Sequence, residues 1–212
     1  MRITAIEDQK KNKNRKSVFL DGAFAFGIDA FSLYALKLKE GDEIDASCLA
    51  EIKRTVLLED AKAKAAKLLS SRSYTARDMK KKLTEYTVDA ETADKTLAFL
   101  EEYGLVNDRD YARRFASDCL HLKKLGKKSI RIKLMEKGIP ATLADEILEE
   151  FVDRETEEEN LTLLLQKKLK GDFDFKNLQK AKRYAAYRGY SFDEIDSAIR
   201  KIQAESEGME QW

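Results

Sequence analysis

The sequence predicts a mostly α-helical protein, in which tandem three-helix repeats of helix-turn-helix-like topology form an elongated array after a small N-terminal β-hairpin element. The first observation is self-similarity, because residues 133–148 match residues 82–97 and 184–199 without gaps at shifts of 51 residues. The second is composition, because 43% hydrophobic and 37% charged residues are typical of a soluble helical chain. A fixed period indicates stacked units, each of which buries its apolar face against a neighbour.

The N-terminal segment differs from the repeats. Arg2–Ile6 is expected to form a strand, Lys10–Lys16 a basic connector, and Asp21-Gly22 a hairpin turn between two β-prone runs. Residues 29–37 predict a short helix. Asp45 is placed to cap a long helix that continues into the first repeat without a linker.

Each repeat is expected to turn between its second and third helices, at Thr87, Gly138 and Gly189. Glycine suits the left-handed residue that closes a helix. Thr87 is β-branched and resists positive φ, so a different turn is expected in the first copy. The third helices then begin with three kinds of start: Asp89 as an N-cap, Pro140 in the first turn, and Ser191 with Glu194 as a capping box.

Equivalent positions in the three copies carry side chains of the same physical type. The apolar sets are Val88, Ile139 and Tyr190, then Ala93, Ala144 and Ile195, then Leu97, Leu148 and Ile199, while the aspartates are Asp94, Asp145 and Asp196. This spacing fits one buried face of a helix. We therefore expect five segments: 1–45 with the hairpin and short helix, 46–108, 109–155 and 156–204 as the three repeats, and 205–212 as a frayed tail.

The charges are nearly balanced overall, with a formal net charge of +1, but they are segregated along the chain. Residues 109–139 contain ten basic and three acidic residues, whereas residues 141–160 contain one basic and nine acidic residues. Segregation favours a binding surface over a merely solvated face, which is the plain alternative. The candidate binding residues are Arg113, Arg114, Lys123, Lys124, Lys127, Lys128, Arg131 and Lys133.

Motifs that carry catalysis or bind cofactors fail on inspection. Gly126-Lys-Lys-Ser129 lacks the order and preceding strand of a phosphate-binding loop, and Asp172-Phe-Asp174 lacks the later ligands of a calcium loop. His121 stands alone, and Cys48 and Cys119 are expected to be reduced core residues. We therefore expect no enzyme, catalytic residue, metal or cofactor. No run is long and apolar enough for a membrane span or signal peptide, which predicts a cytoplasmic protein.

Aromatic residues gather in the last repeat, at Tyr184, Tyr187, Tyr190 and Phe192. Aromatic side chains can stack on nucleobases. Their spacing of three to four residues is also typical of packing inside and between repeats, and we favour packing.

The order of several motifs resembles that of the RecX regulatory proteins of bacteria. These motifs are Ser73-Tyr-Thr-Ala-Arg-Asp-Met-Lys-Lys-Lys-Leu83, Leu97-Ala-Phe-Leu-Glu-Glu-Tyr-Gly-Leu-Val-Asn-Asp-Arg-Asp-Tyr-Ala-Arg-Arg-Phe115, Gly126, and Lys133-Leu-Met-Glu-Lys-Gly-Ile139. The match runs from about residue 54 to residue 202, and Leu38–Ile44 is similar to the longer members. Thr87 departs from the family, which commonly has glycine there, and so does the acidic run 155–159.

The resemblance implies a non-enzymatic regulator of the RecA recombinase in recombination, DNA repair and the SOS response. Such proteins lie in the groove of the RecA filament on single-stranded DNA, suppress ATP hydrolysis and strand exchange, and promote disassembly. We therefore expect a monomer that binds the RecA filament, with possible direct, non-sequence-specific contacts to single-stranded DNA. The sign of the regulation stays open at the level of sequence, because occupancy of the groove can also clamp a filament.

Two other classes of protein share parts of this pattern. A helix-turn-helix transcription regulator would place a basic last helix in the major groove. The last helices here are acidic, with Glu146, Glu149 and Glu150 in the middle copy, and would face phosphates with like charge. A structural adaptor whose basic surface contacts only protein is the third class, and a gel shift without RecA would distinguish it from a DNA-binding protein.

Overall fold

The computed structural model describes residues 1–10, 12–87 and 89–209, with side chains described as far as residue 206. This part of the chain contains three strands, β1 (Ile3–Gln9), β2 (Asn12–Leu20) and β3 (Ala23–Asp29). Ten α-helices follow: α1 (Ala30–Ala35), α2 (Ala46–Leu69), α3 (Ala76–Thr87), α4 (Ala90–Glu102), α5 (Asp108–Ser117), α6 (Lys127–Glu136), α7 (Ala141–Phe151), α8 (Arg154–Leu169), α9 (Phe175–Tyr187) and α10 (Phe192–Met209). The predicted fold class, mostly helical with a small N-terminal β element, is confirmed.

The N-terminal sheet is antiparallel with the strand order β1-β2-β3. Asp21 and Gly22 form the predicted hairpin turn, and both have positive φ, 49° and 84°. The prediction of a basic connector over residues 10–16 is wrong, because β2 begins at Asn12 and pairs with β1. Lys16 of this segment forms an ion pair with Asp8 of β1 across the strands, and Arg15 forms one with Asp60 of α2.

Two aspartates cap the helices that follow the sheet, as the sequence predicts for Asp45. Asp29 accepts a hydrogen bond from the Ser32 amide at 2.9 Å, and Asp45 accepts one from the Cys48 amide at 2.7 Å. Cys48 is exposed, so its predicted place in the core is wrong, since it lies in the solvent-facing first turn of α2. Cys119 is buried as predicted.

The turns between the second and third helices follow the sequence pattern. Gly138 and Gly189 have φ of 88° and 99°, so both close their helices in the left-handed conformation. Thr87 differs, as predicted: it remains in α3, and its hydroxyl donates to the Leu83 carbonyl at 3.0 Å. Val88, the first member of the apolar set that includes Ile139, lies outside the described residues.

The third helices begin with the predicted chemistry in two copies. The Asp89 carboxylate accepts from the Thr92 amide at 2.9 Å. Ser191 and Glu194 form the capping box, with the Ser191 amide donating to Glu194 at 2.7 Å. The expectation of Pro140 in the first turn is wrong by one residue, because Pro140 is the N-cap, with ψ of 145°.

Contacts divide the chain into two units. Unit 1 comprises Met1–Tyr74 and Met79–Val106, and unit 2 comprises Thr75–Asp78 and Asn107–Trp212. In unit 1 the apolar face of the sheet packs with Ile52 and Val56 of α2. In unit 2 each repeat has its own core, which consists of buried residues of repeat 2 (Ala112, Ala116, Cys119, Leu120, Leu125, Ile130, Leu134, Ile139, Ala144, Ile147, Leu148, Val152) and of repeat 3 (Leu161, Leu165, Leu169, Ala181, Ala185, Tyr190, Ile195, Ile199, Ile202). The expected segment boundaries remain predictions, and residues 210–212 of the expected tail lie outside the described residues.

Candidate functional site

The eight candidate binding residues lie on two helices of repeat 2 and on the connection between them. Arg113 and Arg114 are on α5, Lys123 and Lys124 follow a π-helical turn, and the other four are on α6. The π-helical turn, Asp118–Leu122, is closed by the Lys123 amide, which donates to the Asp118 carbonyl at 3.2 Å. Lys124 then adopts a left-handed φ of 51° and turns the chain toward α6.

Three of the eight residues form ion pairs with carboxylates of unit 2. Arg113 binds Glu150 at 2.7 Å, and the Lys127 ammonium lies 3.9 Å from Glu157. Arg131 binds both oxygens of Asp145, at 2.6 and 3.0 Å. The hydrogen bond from Arg131 lowers the pKa of the Asp145 carboxyl below its ordinary value. These three cations are less available to a partner than their sequence suggests.

The other five form no ion pair within the described part of the chain: Arg114, Lys123, Lys124, Lys128 and Lys133. Lys123 lies 5.8 Å from the centre of the Phe115 ring. Lys133 follows Arg131 by two residues on α6, which places the two side chains about 200° apart around the helix. Lys123 and Lys124 lie just before α6 and Lys128 is its second residue, whereas Lys133 follows Lys128 by five residues, about 140° further around the helix.

Acidic residues of α7 form ion pairs with basic residues of α5 in the same repeat. Glu146 and Glu150 of α7 both form ion pairs with Arg109 of α5. The Glu150 carboxylate also binds Arg113. Several of the charges that are segregated in the sequence thus neutralise each other through ion pairs between α5 and α7.

Repeat 3 contributes a basic residue that the sequence reasoning missed. The Arg188 guanidinium donates to the Lys123 carbonyl and, at 2.7 Å, to the Tyr184 hydroxyl. Its position is 51 residues after Lys137, which is the signal that could have identified it as part of a repeat contact.

Repeats 2 and 3 meet at a contact that we call the 2–3 joint, formed by Gly126–Ser129 of repeat 2 with Tyr187–Tyr190 and Glu157 of repeat 3. The Gly126 amide donates to the Arg188 carbonyl at 3.0 Å, and the Lys127 amide donates to Glu157 at 2.8 Å. A Cβ atom on Gly126 would lie 2.8 Å from the Gly189 carbonyl oxygen. Close backbone approach therefore requires glycine on both sides of the joint.

A similar contact occurs inside unit 2 at Thr75–Asp78, one period of 51 residues earlier. The Thr75 hydroxyl donates to the Lys137 carbonyl at 2.9 Å. At the equivalent position of the 2–3 joint, the Gly126 amide donates to the Arg188 carbonyl. The Ala76 amide donates to the Asp108 carboxylate at 2.8 Å, as the Lys127 amide does to a carboxylate of repeat 3. The repeat period thus marks a recurrent contact as well as a recurrent helix face.

The π-helical turn also takes part in the contact between repeats. It presents the Leu120 carbonyl to Asn160 of α8, whose side-chain amide donates to it at 3.1 Å. Asn160 is only 2% exposed. A buried amide without this acceptor would cost roughly 1–3 kcal/mol, so the bond fixes the register of the two repeats.

The ionisation of Glu157 in the 2–3 joint makes the stability of the protein depend on pH. Burial raises the pKa of the Glu157 carboxyl above its ordinary value, against the opposing effect of the Lys127 amide. The folded protein therefore holds this proton more tightly than the unfolded chain, whose carboxyl titrates near pH ~4.3. As pH rises above this value, the free energy of unfolding of the wild type should fall relative to that of Glu157→Gln. Urea unfolding of both proteins from pH 4 to pH 7 measures the difference, and a difference that is flat or rises with pH would contradict this reading.

The aromatic cluster of repeat 3 is only partly core. Tyr190 is 4% exposed and its hydroxyl donates to the Lys124 carbonyl at 3.3 Å. Tyr187 and Phe192 are 85% and 65% exposed, so the packing interpretation is wrong for these two residues. The helical spacing alone does not distinguish buried from exposed aromatic residues, because the i+3 and i+4 neighbours of a buried residue lie on the two edges of its face.

Among the described residues, no group of three or more histidine, cysteine, aspartate or glutamate side chains could hold a metal ion. His121 is exposed in the π-helical turn. No helix within the described ranges is long and apolar enough to cross a membrane.

Four family models match consecutive parts of the chain. They are the regulatory protein RecX N-terminal domain over residues 1–45, and the first, second and third RecX three-helix domains over residues 61–100, 107–148 and 155–199. The three helical models fall on the three repeats, and the N-terminal model falls on the sheet and α1.

Curated relatives match over nearly the whole length of the chain. "Regulatory protein RecX" of Clostridium botulinum strain Alaska E43 is 33% identical over 94% of this chain and 95% of its own. The Clostridioides difficile strain 630 protein of the same name is 32% identical with the same coverage. A solved structure, "Crystal structure of regulatory protein RecX", has a TM-score of 0.75 and 26% identity, over 94% of this chain and 98% of the other. The chain therefore belongs to the RecX family of regulatory proteins.

Proposed function

We propose that this protein binds the RecA filament on single-stranded DNA and inhibits its ATP hydrolysis, strand exchange and recombination activity. The observation that carries this proposal is the match of four RecX models in order along the chain, together with relatives named regulatory proteins. The protein is proposed to act as a monomer, by occupying the filament and without catalysis.

The electrostatic part of this binding is proposed to rest on the candidate residues whose charges form no ion pair with the described residues. Lys123 and Lys124 lie just before α6 and Lys128 is its second residue, where they can meet DNA phosphates or an acidic surface of RecA. Arg113, Lys127 and Arg131 contribute less, because each already binds a carboxylate. The acidic α7 speaks against reading bases in a major groove, so the transcription regulator is not favoured.

The test is ATP hydrolysis by RecA on single-stranded DNA, titrated with the protein below one copy per RecA protomer and at two salt concentrations. The expected result is inhibition at substoichiometric amounts, as for an agent that blocks filament growth or bridges subunits. Full hydrolysis at saturating amounts would overturn the proposal. A gel shift without RecA then reports whether DNA binding alone remains.

The matched variants are Lys123→Glu/Lys124→Glu/Lys128→Glu and, as a control of equal charge change, Lys53→Glu/Lys67→Glu/Lys81→Glu. All three control lysines are exposed. The first variant should raise the concentration needed for half-inhibition about tenfold and weaken its salt dependence, because fewer counterions are released. The control should stay near the wild type, and equal losses in both variants would mean that only net charge matters.

A further inference from the structure

A second basic surface, outside the candidate residues above, lies along α9 in repeat 3. Residues 167–188 contain eight basic and two acidic residues. Four exposed residues, Lys176, Lys180, Arg183 and Tyr187, follow one another at spacings of four, three and four residues. At 100° per residue they fall along one line of the helix, which we call the α9 stripe.

The cations of the α9 stripe have no carboxylate partner among the described residues. Arg183 donates to the Gln179 carbonyl at 3.2 Å, which leaves its charge uncompensated. Lys182, on the flank of the stripe, instead binds Asp196 at 2.6 Å. The opposite side of α9 is the buried one, with Ala181 and Ala185 fully enclosed in the repeat 3 core. At 1.5 Å per residue the stripe is therefore about 16 Å long from Lys176 to Tyr187, and its three cations span about 10 Å of it.

Tyr187 ends this line as a free aromatic ring. It is 85% exposed, and among the described residues only its backbone has a partner outside α9, since the Ser129 hydroxyl donates to the Tyr187 carbonyl at 3.4 Å. This contact lies in the 2–3 joint, where Lys128 of α6 is also exposed. Tyr187 thus lies between the cations of α9 and the basic start of α6.

We propose that the α9 stripe binds single-stranded nucleic acid directly, with Lys176, Lys180 and Arg183 on successive phosphates and the Tyr187 ring stacked on a base. The charge of the stripe requires a polyanion. An exposed ring beside these charges fits unpaired bases, because every base offers a π face and a duplex does not expose one along its sides. This inference assigns the expected direct contact with single-stranded DNA to a site of its own in repeat 3, and it does not depend on RecA.

The experiment is fluorescence anisotropy of a labelled 20-nucleotide oligothymidylate without RecA, compared with an abasic oligomer and a duplex of equal length. The wild type should bind the oligothymidylate most tightly. Tyr187→Ala should lose about 5- to 100-fold in affinity for it, the range expected from base–aromatic stacking, and little for the abasic oligomer. Tyr187→Phe, which keeps the ring, should stay near the wild type.

The charge variant is Lys176→Gln/Lys180→Gln/Arg183→Gln, with Lys53→Gln/Lys67→Gln/Lys81→Gln as the control of equal charge change. The first should weaken binding to both the oligothymidylate and the abasic oligomer and reduce the slope of log affinity against log salt by about 2. The control should keep the wild-type slope. Preference for the duplex, equal losses on both single strands for Tyr187→Ala, or no oligomer binding, as for a stripe that meets only protein, would each overturn the proposal.

Discussion

Replacing Gly189 with alanine is expected to lower the free energy of unfolding by about 3 kcal/mol, because two penalties fall on one residue. The first is conformational: φ at Gly189 is 99°, and left-handed backbone costs other residues roughly 1–2 kcal/mol. The second is steric: a Cβ atom would lie 2.5 Å from the Ser129 amide nitrogen and 2.6 Å from its hydroxyl oxygen. The start of α6 would have to move, and overpacking of this kind costs about 1–3 kcal/mol.

Gly171 provides the matched control for this substitution. It has a similarly positive φ of 79°, but a Cβ atom there meets nothing within 4 Å. Gly171→Ala should therefore lose only the conformational part, about 1–2 kcal/mol. Urea unfolding followed by circular dichroism measures both, and equal losses would show that the 2–3 joint tolerates a methyl group.

Leu165→Ala is expected to destabilise the protein by about 2–5 kcal/mol. Leu165 lies on α8 and is fully buried in the repeat 3 core, so the substitution removes apolar contacts and leaves a cavity between packed helices. Leu163, two residues earlier on the same helix, is 56% exposed, and Leu163→Ala should change stability by less than about 1 kcal/mol. Calorimetry or urea unfolding of the pair provides the comparison.

Hydrogen exchange extends this experiment to the contact between repeats. Because Asn160 and Glu157 of α8 bind the backbone of repeat 2, a loss of stability in repeat 3 should also reduce protection of the Lys127 amide. Protection of that amide unchanged from the wild type would mean that the two repeats open independently.

Local chemistry made much of the fold predictable. The caps at Asp45 and Asp89 and the turn at Asp21 depend on residues close in sequence, and the structure has all of them. The strand from Asn12 was missed because its lysines and asparagines have low strand propensity. Pairing with β1, a tertiary effect, overrides that propensity.

The candidate site was less accessible to sequence reasoning. The basic residues alone do not indicate which of them are paired, and the partners of Arg113 and Arg131 are 37 and 14 residues away. The exposed ring of Tyr187 was missed for a related reason: only the packing of α9 inside repeat 3 determines which side of α9 is covered. Contacts between residues close in the chain could be predicted from the sequence, whereas contacts between distant residues could not, whatever the types of the residues.

The cap on α6 has a consequence for the order in which the helices are completed during synthesis. Its Lys127 amide is satisfied by a carboxylate 30 residues later in the chain, whereas α9 is capped by its own Asp174, which binds the Asn177 amide at 2.6 Å. During synthesis from the N-terminus, α6 leaves the ribosome before its cap exists and is completed only when α8 has followed. Helix α9, in contrast, has its capping residue before its first turn is made.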